Sequence, residues 1–352
     1  MALRDEFPVL ERVAYLNAGT DGPVPRAASE LARGELTAQT EDGRLWPHFE
    51  RRQALTADLR AGYASLLGCD VDDIAVTTGT SYGLGSVLAG LDIGPGDEIV
   101  TSDNEHPGLL GPLIAARHRG ATVRAVPFAE LAEGVRATTT LVAASHVNWI
   151  TGELAPADLA SVPVPVILDG AQGAGAVPVD VKALGCVAYA AAGQKWLCGA
   201  DGTGLLWLDP EFGERVRTIA PGYMAFSDAT RGLESTFRAG GRRFDAPIAR
   251  EAVALSLGAY QTLAAAGFDD VIEHAADLTD TFAAALQAAG HTVAPRGRST
   301  LVAFEHPEPE EARTRLAGLG VAVRNLPGFP YLRVSVGAWN DESDLERLLA
   351  AL

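Results

Sequence analysis

The stretch Val164–Leu208, VPVILDGAQGAGAVPVDVKALGCVAYAAAGQKWLCGADGTGLLWL, decides how the rest of the chain is read. A short apolar run, Val164–Leu168, ends in Asp169, and Gln172 follows. A second run, Val187–Ala192, ends in Gly193-Gln194-Lys195. Both have the length and bounding residues of buried parallel strands. Reactive groups of such sheets collect just past the carboxyl ends of the strands. An acid, an amide and an amine are thereby expected in one crevice. Lysine is scarce: Lys182 and Lys195 are the only two in 352 residues. Lys182, in the polar segment VDVKALG, reads as a solvated side chain. Lys195 lies between a strand and the glycine-rich turn CGADGTG, next to Trp196, where an amine is partly desolvated. An unperturbed lysine titrates at about 10.4, and desolvation lowers that value toward nucleophilic use.

An amine and a carboxylate in this relation suggest pyridoxal phosphate. The amine condenses with the cofactor aldehyde, and the carboxylate keeps the pyridine nitrogen protonated so that the ring accepts electrons. On spacing alone a plainer reading stands level with it, in which Lys195 caps a helix end or pairs with a surface acid.

Composition narrows the classes. A length of 352 residues suggests about two domains. A hydrophobic content of 47% leaves ample apolar surface for a large core, in keeping with a mean hydropathy of +0.10. The net charge of −17 argues against nucleic acid and acidic membranes as partners, since both need a basic footprint. Cys69, Cys186 and Cys198 have no paired spacing, so neither a disulfide framework nor a zinc site is expected. No stretch approaches the ~20 apolar residues of a membrane helix, and MALRDEFPVLERV is unlike a signal peptide. A soluble, cytoplasmic protein is expected.

Arg4–Val13 reads as a short helix, and Tyr15–Pro25, YLNAGTDGPVP, as an irregular loop, either a plain surface turn or, given its glycines beside Tyr15, a segment that approaches something closely. Pro25–Leu67 reads as mostly helical, with Trp46, Phe49 and Tyr63 as core or interface residues. A strand at Ile74–Thr77 gives way to Thr78-Gly79-Thr80-Ser81 and a helix. Backbone N–H groups, a helix N-terminus and two hydroxyls make an anion site. Simple N-capping by Thr80 or Ser81 explains the same residues. The run is neither a Walker loop nor a dinucleotide fingerprint. The next strand ends near Asn104-Glu105-His106-Pro107, where no second histidine at ligand spacing supports a metal. Another ends at Ser145-His146-Val147-Asn148-Trp149, where His146 is either a satisfied strand-end histidine or a direct participant. Alternating strands and helices from about 70 to 210 give a mostly parallel sheet covered on both faces. Ile248–Ala266 and Asp269–Ala289 read as long helices. HTVAP, TLVAFEH, VAVRNLP and YLRVSVG read as strands of a smaller domain, closed by the helix ESDLERLLAAL.

DGAQ followed by GQKWL and GADGTG resembles the class V aminotransferase-fold enzymes, whose pattern is D-x-A-Q and then S-x-H-K or S-G-H-K. The resemblance runs from Tyr15-Leu16-Asn17-Ala18-Gly19 to Arg333-Val334-Ser335, nearly the whole chain, and its specificity lies in five motifs in order. It implies fold type I of the pyridoxal-phosphate enzymes, an α/β architecture. The large domain, 15–235, holds a mostly parallel seven-stranded-type sheet between helices. The small α+β domain takes in 1–14 and 236–352. Lys195 becomes the amine that forms the imine with the cofactor aldehyde, Asp169 the acid that pairs with the ring nitrogen, and His106 stacks on the pyridine. Gly79, Thr80 and Ser81 cradle the phosphate, joined as cofactor contacts by Asn148, Gln172 and Gln194. Asn17, Ala18 and Gly19 line the substrate mouth, and Arg333 holds the α-carboxylate with its planar fork. Arg324 either reads another acidic group or is a solvated strand-end charge.

Departures from the pattern are informative. Ala192 stands where a phosphate-binding serine is usual, and Gln194 replaces a histidine, though its amide still donates. Arg243-Phe244-Asp245-Ala246-Pro247 lacks the threonine of R-F-E-x-G-T, which in the family reaches the neighbouring subunit's phosphate. The stretch VRNLPGFPYLRVSVG lacks the nucleophilic cysteine of cysteine desulfurases. The segments look most like cystine and cysteine-S-conjugate lyases, with ergothioneine-pathway lyases close by. The resemblance therefore implies a homodimeric carbon–sulfur β-lyase acting on a small amino acid and releasing a sulfur product, pyruvate and ammonia. Transamination or epimerisation is the first rival. A non-catalytic descendant serving as a binding or scaffold protein is the second.

Overall fold

The computed structural model describes residues 3–352. Its centre is a seven-stranded sheet formed by β1 (Ile74–Thr77), β2 (Glu98–Ser102), β3 (Thr122–Val126), β4 (Thr139–Ser145), β5 (Val166–Asp169), β6 (Ala188–Ala192) and β7 (Gly204–Leu208). The spatial order is β1-β7-β6-β5-β4-β2-β3. The pairs β2–β3, β2–β4, β4–β5 and β5–β6 are parallel, whereas β7 runs antiparallel to both of its neighbours. Thr77, Ala192, Asp169, Ser145 and Ser102 thus end their strands along one edge of the sheet. Gly204 begins its strand opposite Thr77 and Ala192 at that same edge. The connections that leave this edge carry the residues singled out above.

The strands β1, β5, β6 and β7 are buried throughout, as expected where helices cover both faces. Four helices precede or interleave with them: α1 (Arg26–Glu41), α2 (Trp46–Leu67), α3 (Thr80–Gly90) and α4 (Pro107–His118). One face packs Leu59, Tyr63 and Leu67 of α2 against Val76, Val142 and Leu168. The other packs Leu84 and Val87 of α3 and Leu113 of α4 against Ile99, Ile167 and Leu206. Helix α5 (Arg250–Ala265) lies along α1 and α2 and adds Val253 and Leu257 to the first face.

A second, smaller sheet follows helix α6 (Phe268–Ala288). It comprises β8 (Leu301–Glu305), β9 (Arg324–Asn325) and β10 (Tyr331–Ser335), antiparallel in the order β8-β10-β9. Helices α7 (Pro309–Gly318) and α8 (Glu342–Ala351) complete it. Ala14–Tyr15 pairs in parallel with Val321–Ala322, and Asn17 bridges to Ser335, so the chain's beginning is tied to this unit. Among the described residues, no helix is long and apolar enough to cross a membrane.

Several expectations need correction. Arg4–Val13 is not one helix but two 3-10 turns, Leu3–Glu6 and Pro8–Glu11, because Pro8 lacks an N–H and restricts the residue before it. The strand expected from Val164 starts at Val166, since Pro165 offers only its carbonyl, which accepts from the Val142 N–H at 2.9 Å. The helical stretch 25–67 breaks before Trp46, where Gly43 takes φ +73°. HTVAP forms no strand; only Val293 bridges, to Phe304. Of the aromatic residues read as core or interface, Tyr63 is buried in the core, whereas Trp46 is 69% exposed on this single chain and so is no core residue.

Candidate active site

Asp169 is the last residue of β5 and is buried. One carboxylate oxygen accepts from the Ala171 N–H at 2.9 Å, and the other accepts from no described residue. Burial raises its pKa, and Lys195 opposes that rise. Lys195 lies on the connection between β6 and β7, at the same edge. Burial pulls its pKa down to about 8; Asp169 resists the fall and Arg333 adds to it. Lys195 thus sits within electrostatic reach of both Asp169 and Arg333. Lys182 is exposed, on the other side of β6 in sequence.

The N-termini of α3 and α4 open on this edge. Gly79 caps α3 at φ +142°, a conformation open to glycine alone, and the space beside its α-carbon is empty. Thr80 Oγ1 is buried without a hydrogen-bond partner among the described residues. Ser81 Oγ lies against α4 at Gly108. Free N–H groups, an orphan hydroxyl and open space together fit an anion. His106 caps α4, its Nδ1 accepting from the Gly108 N–H at 3.1 Å. Burial lowers its pKa to about 4, helped by Lys195 and Arg333, so the ring is neutral. The adjoining Glu105 is structural: it accepts from the Ser102 and Ser145 hydroxyls and the Ser145 N–H.

At the end of β4, His146 Nδ1 lies 3.0 Å from the Tyr189 hydroxyl, a satisfied buried histidine. Asn148 accepts from the Ile150 and Thr151 N–H groups through Oδ1, which leaves its amide NH2 uncommitted. The Gln172 amide is engaged at both ends, donating to the Gly19 carbonyl at 2.8 Å and accepting from Trp196 Nε1 at 2.9 Å. It thus locks the Asn17-Ala18-Gly19 loop to the lysine-bearing connection. Gln194 holds that loop by its carbonyl, which accepts from the Gly22 N–H at 2.7 Å. Its side chain makes no hydrogen bond to a described residue.

Arg333 comes from β10 of the small sheet. It is 2% exposed and, among the described residues, has no carboxylate partner and no hydrogen-bond partner for its Nε. One nitrogen donates to the Trp149 carbonyl. Burial lowers its pKa to about 9, with Arg324 contributing. A buried guanidinium without an acid is costly, and an anionic ligand removes that cost. Ser335, two residues on and on the same face of β10, also has an orphan hydroxyl. A β-carbon at Gly19 would stand 2.8 Å from Ser335 Oγ and 2.9 Å from an Arg333 nitrogen. Arg243 and Asp245, by contrast, are structural: Arg243 donates to the Gly213 carbonyl and Asp245 pairs with Arg60.

Trp149 escaped the reading of the sequence. Its ring meets His106 edge-on at 5.2 Å and 84°, its Nε1 donates to the Asn104 carbonyl at 2.9 Å, and its carbonyl receives Arg333. The signal was its place directly after Asn148 at a strand end. Among the described residues, no group of His, Cys, Asp and Glu is arranged to hold a metal.

A desolvated lysine and a buried aspartate stand at one edge of a mostly parallel seven-stranded sheet, and that sheet has the α/β architecture of fold type I. Residues 47–348 match the family model described as aminotransferase class V, and the chain belongs to that family. A probable cysteine desulfurase of Pseudomonas aeruginosa is 28% identical over 99% of this chain and 96% of its own. The isopenicillin N epimerase of Streptomyces clavuligerus is 30% identical, but the chain spans only about half of that relative: the match covers 56% of this chain and 54% of the epimerase. A solved complex of the cystine C–S lyase C-DES with its reaction product, cysteine persulfide, superposes with a TM-score of 0.91 at 28% identity, over 98% of each chain.

Proposed function

We propose that this protein is a pyridoxal-phosphate-dependent carbon–sulfur β-lyase acting on cystine, an S-substituted cysteine or a cysteine sulfoxide. The observation that carries the reading is that the desolvated Lys195 lies within electrostatic reach of both the buried Asp169 and the buried Arg333. Asp169 would hold the pyridine nitrogen, Gly79, Thr80 and Ser81 the phosphate, and His106 and Asn148 the ring and its phenolic oxygen. Lys195 would carry the aldehyde carbon. When bound, the cofactor supplies an electron sink for charge developing at the substrate α-carbon.

The protein's own part follows from its geometry. Arg333 binds the α-carboxylate and so orients the α-hydrogen. The Lys195 amine, lowered to about 8, takes that proton onto Nζ near neutral pH as general base. Asp169 keeps its proton partner charged in a buried setting. The C–S bonding pair leaves with sulfur, which departs as a thiol or persulfide once protonated, and the remaining three-carbon fragment tautomerises to an imine that water hydrolyses to pyruvate and ammonia.

Elimination is favoured over sulfur transfer to the enzyme because no thiol suits that task. Burial raises the Cys69 and Cys186 thiols to about 12, and Cys198 is buried and raised well above its ordinary value. A persulfide carrier needs an accessible thiolate. Similarity to an epimerase keeps proton return to the α-carbon as the second reading.

The test is pyruvate, ammonia and sulfur-product release from cystine, S-alkyl cysteines and cysteine sulfoxides by the cofactor-loaded protein, beside Lys195→Ala. Lysine-dependent pyruvate establishes the lyase. Stereochemical inversion or amino-group transfer without pyruvate moves the second reading or transamination ahead. A colourless protein that takes up no cofactor points to a binding or scaffold role. The resemblance to homodimeric enzymes makes a two-subunit assembly part of the proposal, as is a cytoplasmic location.

A further inference from the structure

Four charged side chains act on Lys195: Asp169, Arg333, Asp21 and Arg324. The reaction above uses the first two. Asp21 lies in the loop that covers the lysine-bearing connection, and its backbone is pinned on every side. Its N–H donates to the Asn17 carbonyl at 3.2 Å, and its carbonyl accepts from the Tyr15 hydroxyl at 3.0 Å. The next residue, Gly22, donates to the Gln194 carbonyl at 2.7 Å, one residue before Lys195. The backbone contacts hold the loop, so the carboxylate is not needed for that purpose. It is exposed at the mouth of the site and takes part in no hydrogen bond or ion pair with a described residue. Arg324, whose one side-chain hydrogen bond to a described residue is to the Thr20 hydroxyl at 3.4 Å, acts on the Asp21 carboxylate together with Lys195, and Asp201 opposes both.

We propose, resting on the lyase reading, that Asp21 is a specificity-determining residue that selects substrates whose sulfur substituent carries a cationic amine. Arg333 takes the α-carboxylate and Lys195 works at the α-carbon, so the substituent on sulfur is the part of the substrate left to meet the mouth. An ammonium there donates a charge-assisted hydrogen bond to an unpaired carboxylate whose backbone is held in place, and a carboxylate there meets like charge. A substituent bearing both charges, such as the second half of a disulfide of two cysteines, complements Asp21 and Arg324 together.

The experiment compares kcat/KM for pyruvate release from S-(2-aminoethyl)cysteine, S-ethylcysteine and S-carboxymethylcysteine. The holoenzyme is tested as wild type, Asp21→Asn and Asp21→Glu. The wild type is expected to rank them in that order. In Asp21→Asn the aminoethyl-to-ethyl ratio falls by about fivefold or more, while Asp21→Glu keeps the preference for the cation. A loop-holding role alone would leave that ratio unmoved. Release from S-ethylcysteine with the same ratio in wild type and Asp21→Asn overturns the proposal, as does a wild type that prefers the carboxymethyl compound. If Asp21→Asn does not fold, the wild-type ranking and Asp21→Glu decide. Absence of pyruvate from all three in the wild type removes the lyase reading itself, and this proposal with it.

Discussion

Gly22 lies directly against Lys195: a β-carbon at Gly22 would stand 2.1 Å from the Lys195 carbonyl oxygen and 3.0 Å from Cys198 Sγ. The loop of residues 15–25 therefore closes over the lysine only because this residue has no side chain. Neither group can retreat easily, since the Lys195 carbonyl accepts from the Cys198 N–H at 3.1 Å. Cys198 itself sits at φ +55°, an uncommon conformation for a residue with a β-carbon.

Gly22→Ala is predicted to lift the loop and to destabilise the protein by about 1–3 kcal/mol, the usual cost of overpacking. Denaturant unfolding checks the stability. Loss of activity should exceed that of Val24→Ala, a change at an exposed position of the same loop.

Arg333→Lys is predicted to raise KM by about thirtyfold or more, because an ammonium cannot reproduce a planar two-point grip on a carboxylate. Steady-state kinetics on S-ethylcysteine read this out. The Trp149 carbonyl loses its donor in the same variant, so the His106–Trp149 contact is expected to loosen as well. An unchanged KM would place the substrate carboxylate elsewhere.

Lys195 is predicted to react as a free amine with a midpoint near pH 8. The sign is fixed by burial: desolvation disfavours the charged form, so the neutral, reactive amine prevails above that midpoint rather than above about 10.4. Competitive acetylation of the cofactor-free protein across pH 6–11, read by peptide mass spectrometry in a Lys182→Arg background, measures it. A midpoint above 10 would mean that the amine is solvated.

Asp245→Ala is predicted to cost about 3–5 kcal/mol of stability, because it strands the buried Arg60 guanidinium. The Asp245 carboxylate also accepts from the Val76 N–H at 2.9 Å, tying the segment before α5 to β1. Thermal unfolding checks this. Activity per folded molecule should persist, since neither partner reaches the site.

The course of the large sheet was legible because its strands announce themselves as apolar runs cut off by Asp169 and by Gly193-Gln194-Lys195. Two lysines in the whole chain made the choice of amine nearly forced. What local pattern could not convey was how the small sheet meets the large one. Trp149 and Ser335 gain their meaning only when β10 is laid against the end of β4, a contact between residues far apart in sequence. Gln172 illustrates the same limit: that its amide donates to the Gly19 carbonyl and accepts from Trp196 Nε1, tying two distant segments together, is not written in its motif. The broken first helix and the missing HTVAP strand fell to proline and to a lone bridge, where backbone donors rather than side-chain pattern decide the outcome.

The most direct measurement is the site of cofactor attachment. The protein loaded with pyridoxal phosphate is reduced with borohydride, digested and sequenced by mass spectrometry. The pyridoxyl label is expected on Lys195, in stoichiometric amount, with Lys182 clean. Label on Lys182, or no stable label on either lysine, would contradict a site built on Lys195 and Asp169.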